Sequence, residues 1–136
     1  MMTTYPAKEI ESVRERKIHL KVAIFIHASL ETREGQARVY NALHAVKEFM
    51  DAGDHVDVIF DGAGTRTAVE IGQPQHPLYP LFKEVEESIT GICRFCAHQF
   101  GGIDAKSAGS FALIDDYHQH PSIRNFMVNG YQVLNF

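Results

Sequence analysis

Two short apolar runs with one amphipathic segment between them leave few folds open to this chain. The run HLKVAIFIHA, His19 to Ala28, is almost continuously apolar and rich in Val and Ile, which is typical of a strand buried on both faces. The run HVDVIF, His55 to Phe60, predicts a second strand. Between them, Gly35 to Met50 carries apolar side chains at helical spacing, and Gly53 is suited to the cap that ends a helix. The three segments predict a βαβ unit, whose helix is the crossover that parallel strands require.

The remaining chain continues this alternation. In chain order we expect a helical segment near Thr67 to Ile71, an amphipathic helix over Leu78 to Ile89, a strand over Gly91 to Cys93, a short helix ended by Gly101 and Gly102, a helix over Pro121 to Asn129 and a strand from Tyr131 to Phe136. Phe111 to Ile114 fits a strand or a buried helical turn, because so short an apolar run does not settle the period. The last helix is expected to turn Ile123, Phe126 and Met127 inward.

Length and charge restrict the class of protein. With 136 residues the chain fits one α/β domain over residues 19–136, preceded by a tail or short surface helix over residues 1–18. No apolar run approaches the roughly 18 residues that span a bilayer, and the charged N-terminus does not resemble a signal peptide, so we expect a cytoplasmic protein with no membrane partner. A net charge of -4 argues against a nucleic-acid partner, which would require a basic face.

The two cysteines of the chain, Cys93 and Cys96, lie at a predicted junction of strand and helix. A thiol at a helix start is stabilised as thiolate by the helix dipole, so we expect Cys93 to have a lowered pKa and to be nucleophilic. Arg94 adds positive charge beside it, and Cys96 is placed to resolve a persulfide or to form a disulfide with it. The alternative is that both cysteines only pack as small apolar side chains.

A zinc site is a further interpretation of the same pair. Its ligands would be Cys93, Cys96 and His98, with His118 or His120 as the fourth. Structural zinc sites usually have a second paired motif, and HQH is an irregular one, so the two loop histidines are expected to be exposed.

Other polar residues follow predicted strands. His27 and Asp61 end the first two strands, and the carboxyl ends of parallel strands meet at one edge of a sheet, where ligands gather. His27 is interpreted either as a base near the thiol or as a packed histidine, and Asp61 as a turn-forming aspartate. Gly62 and Gly64 form only a fragment of a phosphate-binding loop, so nucleotide binding is not expected.

Four segments together resemble one family. They are KVAIFIHAS in the first strand, GDHVDVIFDGAG around the second, ITGICRFCAHQFG with its strand-end cysteine, and the terminal GYQVLNF. In this order they resemble the DsrE/DsrF-like proteins, which include the YchN-like proteins and the TusD-like subunits of sulfur relays. The resemblance covers about Leu20 to Phe136.

The resemblance implies a flavodoxin-like three-layer α/β/α fold with a mostly parallel sheet of about five strands. It also implies a homo-oligomer, commonly a trimer or a hexamer. In sulfur-relay members the strand-end cysteine carries sulfur as a persulfide, and Cys93 matches that position, whereas Cys96 has no counterpart in those subunits. Persulfide transfer between thiols needs no cofactor, so none is expected.

Three hypotheses follow. The first is a sulfur carrier of sulfurtransferase-like chemistry with a protein sulfur donor or acceptor as partner, in which Cys93 carries the persulfide, Cys96 resolves it, and Arg94 and His27 stabilise the thiolate. The second is a non-catalytic oligomeric module that binds a small ligand or a protein, and it predicts inert thiols with raised pKa values. The third is a zinc-binding CxxC protein.

Overall fold

The computed structural model describes residues 18–104 and 106–136, so most of the predicted tail over residues 1–18 lies outside the described residues. The strands are β1 (Lys21–Ile26), β2 (His55–Phe60), β3 (Ile89–Cys93), β4 (Leu113–Ile114) and β5 (Gln132–Asn135). The α-helices are α1 (Arg33–Asp51), α2 (Gly64–Ile71), α3 (Tyr79–Val85), α4 (Arg94–Gln99) and α5 (Ile123–Val128), and a 3-10 turn (Glu86–Ser88) joins α3 to β3. Across the described ranges, no helix has the length and apolar character needed to cross a membrane.

The strands form one five-stranded sheet in the order β4-β3-β2-β1-β5, and every neighbouring pair is parallel. Parallel pairing needs a crossover between consecutive strands, and helices supply it throughout. The sheet with its helices confirms the predicted α/β fold of flavodoxin-like, three-layer type. The βαβ unit predicted from the first two apolar runs is β1, α1 and β2, whose strands pair along their whole length.

The first face of the sheet carries the main core. Alternate residues of β1 and β2 point toward this face, and they pack against the apolar sides of α1, α2 and α3. The largest fully buried side chains there are Phe60, Ile24, Ile26, Leu43, Ile71 and Ile92. This continuous core fixes how the strands lie side by side, and therefore where their carboxyl ends meet.

The second face of the sheet buries fewer residues than the first. Its buried residues are Ala23, Phe25 and Ile59, and Phe126 of α5 packs edge-on against Phe25. The prediction that Phe126 turns inward is confirmed, whereas it was wrong for Ile123 and Met127, which are 45% and 61% exposed. A helix as short as α5 presents one narrow stripe to the sheet, so neighbouring apolar side chains remain in solvent.

Several helices and strands begin or end at residues other than the predicted ones, each for a local reason. Helix α1 begins at Arg33 because the Thr32 hydroxyl accepts a hydrogen bond from the Gly35 N–H and caps the helix. The helix predicted to reach Ile89 ends at Val85, because the chain tightens into the 3-10 turn and Ile89 already pairs with β2. The ambiguous run ending at Ile114 supplies β4, the short edge strand beside β3.

Candidate functional site

The candidate site lies where β2 and β3 end. Asp61 directly follows β2, and Cys93 is both the last residue of β3 and the N-cap of α4. Cys96 lies one helical turn further on, and its N–H donates to Cys93 Sγ at 3.4 Å. The fourth residue, His120, comes from the loop between β4 and α5. Asp61, Cys93, Cys96 and His120 are called the thiol cluster below.

The side chains of the thiol cluster are in contact. One carboxylate oxygen, two sulfurs and one ring nitrogen all lie within 4.8 Å of one another. Cys93 Sγ lies 3.3 Å from His120 Nδ1 and 3.8 Å from the Gln119 carbonyl oxygen. Both cysteines are free thiols. A thiol, an imidazole and a second thiol within reach of one another can exchange protons and form sulfur–sulfur bonds.

A tight turn positions His120. Tyr117 and His120 exchange two backbone hydrogen bonds of 2.8 Å, and the two residues between them, His118 and Gln119, have positive φ angles of 46° and 67°. Positive φ at both central residues is the geometry of a type I′ turn. The Gln119 carbonyl also accepts a 3.0 Å hydrogen bond from the Phe95 N–H at the start of α4. The turn is thereby attached to the helix that carries the cysteines.

Backbone contacts position Asp61. Its N–H donates to the Ile26 carbonyl at 2.9 Å, and one carboxylate oxygen accepts the Gly62 N–H at 2.8 Å. Gly64, the first residue of α2, passes so close to the end of β1 that a Cβ there would collide with the Ile26 carbonyl oxygen. The loop after β2 is therefore held against the neighbouring strand, with the Asp61 side chain directed at the thiols.

The thiols are less acidic than the sequence predicted. Burial raises the pKa of Cys93 from 9.0 to about 12, and it raises the pKa of Cys96 together with a hydrogen bond to Asp61. The lowered pKa predicted for Cys93 was therefore wrong. Cys93 is 0% exposed, and the loss of hydration outweighs the hydrogen bond that its sulfur accepts from the Cys96 N–H. Helix α4 is short, so its dipole stabilises the Cys93 thiolate only weakly against the loss of hydration.

The other predicted site residues are not members of the thiol cluster. Arg94 pairs with Asp115 through a 2.9 Å contact between Nε and Oδ2, which joins α4 to the loop that leads to His120. His27 lies at the end of β1, where its Nε2 is 2.9 Å from Oδ1 of Asn135. His98 is exposed on α4 and is not part of the thiol cluster.

Sequence reasoning missed the roles of two residues. The sequence names His120 as a possible fourth zinc ligand but predicts an exposed side chain, and it predicts Asp61 as a turn former, yet both side chains contact the thiols. The available signal was the position of His120 after β4, a strand that ends beside β3. If Phe111 to Ile114 is identified as a strand, the loop after it is predicted to lie at the same sheet edge as Cys93.

Comparison of the chain with family models, with curated proteins and with solved structures found no match. The resemblance to the DsrE/DsrF-like proteins therefore stays a prediction.

Proposed function

We propose that this protein is a DsrE-like sulfur-relay protein of the cell interior, in which Cys93 carries sulfane sulfur as a persulfide. The observation that carries the proposal is the 3.3 Å contact between Cys93 Sγ and His120 Nδ1. A thiol becomes a strong nucleophile only when its proton leaves, and an imidazole nitrogen in hydrogen-bond contact is suited to accept that proton. His120 is therefore the proposed acceptor of the proton that burial keeps on the Cys93 thiol.

The transfer step balances without an oxidant. As His120 takes the thiol proton, Cys93 Sγ attacks the outer sulfur of a donor persulfide, R–S–SH. The bond between the two donor sulfurs breaks, and the donor leaves as RS⁻, which receives the proton from His120. The products are the Cys93 persulfide and RSH. An acceptor thiol that attacks the outer sulfur of the Cys93 persulfide regenerates the Cys93 thiol.

Cys96 gives the carrier a second possible fate. Its sulfur lies within 4.8 Å of Cys93 Sγ, which is close enough for a small side-chain rotation to bring the two sulfurs together. Attack of Cys96 on the inner sulfur of the persulfide forms a Cys93–Cys96 disulfide and releases H₂S. Cys96 therefore limits the lifetime of the persulfide when no acceptor is present. This role separates the proposed protein from relay subunits with a single cysteine.

Arg94 and His27 contribute less directly. The Arg94 guanidinium is bound to Asp115, so we propose that it positions the loop carrying His120 and adds only a distant positive charge. His27 is bound to Asn135 and supports the edge of the sheet beside Asp61.

The proposed partners are a small or protein-bound sulfur donor, an acceptor thiol and further copies of this chain. The resemblance supports a trimer or a hexamer. The exposed apolar side chains of α5, Met127 and Val128 at 61% and 60%, support association between chains. Because Cys93 is 0% exposed, we expect a small hydropolysulfide ion to reach it more readily than a protein-bound donor does.

Intact-mass measurement tests the proposal directly. The reduced protein is incubated with inorganic polysulfide, freed of excess reagent and compared with Cys93→Ala and Cys96→Ala. We expect the gain of one sulfur mass, reversible by reductant, in the native chain and in Cys96→Ala, with a longer-lived adduct in Cys96→Ala. An adduct that survives Cys93→Ala, or none on any variant, would overturn the proposal.

A non-catalytic binding module is the second candidate. It is favoured by the raised pKa values of both thiols, which are what merely packed cysteines predict. Under this alternative no variant gains sulfur, and the native thiols react with iodoacetamide only after the protein unfolds. The mass experiment therefore separates the two candidates.

A further inference from the structure

We propose that the thiol cluster is a binding site for a thiophilic divalent cation of the Zn²⁺ type, with one ligand atom from each of Asp61, Cys93, Cys96 and His120. This site differs from the zinc site predicted from the sequence, because Asp61 takes the place that His98 was expected to fill. The proposal stands on the geometry of the four side chains and does not depend on the proposed sulfur chemistry.

The distances fit a tetrahedral ion. With metal–sulfur bonds of about 2.3 Å and metal–nitrogen or metal–oxygen bonds of about 2.0–2.1 Å, neighbouring ligands of a tetrahedral ion lie about 3.3–3.8 Å apart. Cys93 Sγ and His120 Nδ1 are 3.3 Å apart, and all four ligand atoms lie within 4.8 Å of one another. Side-chain shifts of roughly an ångström would bring all four ligand atoms to bonding distance from one ion. No movement of a strand is required.

The ligand types select among cations. Two thiolates with one imidazole and one carboxylate suit Zn²⁺ and its substitute Co²⁺, whereas Mg²⁺ and Ca²⁺ prefer sites made of oxygen atoms. Nδ1 of His120 is the nitrogen that faces the sulfur, so it is also the expected ligand. The sequence positions 61, 93, 96 and 120 belong to three separate loops or junctions. Metal binding would therefore join the ends of β2 and β3 to the loop before α5.

A cation also suits the charge of this buried site. Cys93 and Cys96 are buried beside the Asp61 carboxylate, where two thiolates would need a positive partner. A bound Zn²⁺ replaces the two thiol protons, which leave to solvent, and its charge balances the thiolates in their apolar surroundings. The exchange moves two protons and no electrons. Cys93 is 0% and Cys96 6% exposed, so the bound ion would be shielded from water on the side of the sulfurs.

Neighbouring groups already hold the ligands in place. The Gly62 N–H bonds one Asp61 oxygen at 2.8 Å, and the Cys96 N–H bonds Cys93 Sγ at 3.4 Å. The Phe95 ring lies against the His120 ring, with 4.8 Å between their centroids. Such supporting contacts orient metal ligands and contribute about 10–100-fold to affinity in known sites.

Cobalt titration of the full chain tests the site. The protein is reduced, stripped of metal with a chelator and titrated with Co²⁺, whose visible absorption reports tetrahedral geometry and whose near-ultraviolet band reports thiolate ligation. We expect one Co²⁺ per chain with both signatures, and displacement by Zn²⁺ with loss of colour. Asp61→Asn and His120→Gln should each weaken Co²⁺ binding by at least about tenfold. His98→Gln and His118→Gln, which change exposed histidines outside the cluster, should bind as the native chain does.

Three results would overturn the site. They are absent thiolate-to-cobalt absorption, one Co²⁺ shared between two chains, or equal weakening by His98→Gln and His120→Gln. Circular dichroism of each variant verifies folding, and His120→Gln decides the outcome if Asp61→Asn is unfolded. The sulfur test is run on metal-free protein, so a missing cobalt signal with a normal Cys93 adduct refutes only the metal site, and the reverse result refutes only the proposed function.

Discussion

The carboxyl edge of the sheet has two halves that hold different chemistry. Where β2 and β3 end, the thiol cluster brings two sulfurs, a carboxylate and an imidazole within 4.8 Å of one another. Where β1 ends beside β5, His27 is exposed and contacts Asn135. Both halves begin with a polar residue after a buried strand. The difference is that a further loop, the one before α5, closes over the first half only.

This difference shows that a polar residue at the end of a strand does not by itself make a site. In open parallel sheets, ligands usually gather where the helices change from one face to the other. In this protein the change of face falls between β1 and β5, because α1 packs on the first face and α5 on the second. The thiol cluster lies elsewhere on the edge, where the loop after β4 supplies burial and a fourth side chain.

The largest expected difference between the halves concerns sulfur loading. Cys93→Ala should abolish the sulfur adduct completely, since it removes the attacking atom. His27→Gln should leave the adduct within about twofold of the native amount, because its partner is Asn135. Intact mass after polysulfide treatment measures both. Equal loss of the adduct in the two variants would show that the two halves act as one site, and it would refute the proposed difference between them.

His120→Gln should slow the formation of the adduct by about 100-fold at neutral pH, which is the lower end of what a positioned acid or base contributes. Glutamine keeps much of the side-chain volume but cannot take up the Cys93 proton. The rate is followed by stopped incubation and mass measurement, and His118→Gln is the matched control because that ring is exposed in the same turn. A rate unchanged by His120→Gln would remove the base from the mechanism.

Gly64→Ala should destabilise the protein by about 2–3 kcal/mol, because the new Cβ collides with the Ile26 carbonyl and pushes the loop of Asp61 away from β1. Gly109→Ala is the control: no atom lies within 4 Å of its added Cβ, so only its positive φ of 59° opposes the change, at about 1 kcal/mol. Urea unfolding measures both. Equal losses of stability in the two variants would show that the close contact between Gly64 and the end of β1 does not hold the loop of Asp61 in place.

A further expected difference between the halves is in the alkaline dependence of stability. Burial raises the pKa of Cys93 from 9.0 to about 12, so between these values the folded state keeps a proton that the unfolded chain has lost. The stabilisation is complete below pH 9 and is lost as the pH rises toward 12. Cys93→Ala should therefore flatten the decline in unfolding free energy over this range, whereas His27→Gln should leave its slope unchanged. Parallel curves for the native chain and Cys93→Ala would contradict the burial of this thiol.

Local sequence patterns predicted most of the fold. The apolar run of β2 and the helical spacing of α1 identified both elements to within a few residues. Burial makes apolar residues recur in different patterns in strands and in helices, so the sequence distinguishes the two. The exposure of Ile123 and Met127 was not predictable in this way. Their spacing fits a buried face, but how much of a short helix the sheet covers depends on its distance and angle to the strands.

The sequence by itself determined the alternation of strands and helices, the position of Cys93 at the end of a buried strand and the placement of Cys96 one helical turn away. Only the tertiary structure decided which side chains meet the thiols and that the thiols are buried. The contact between Cys93 and His120 spans 27 positions of the chain. Such contacts are set by strand order and loop path, which no local periodicity encodes. Burial likewise reversed the predicted direction of the Cys93 pKa shift, because hydration of a thiolate depends on every segment packed around it.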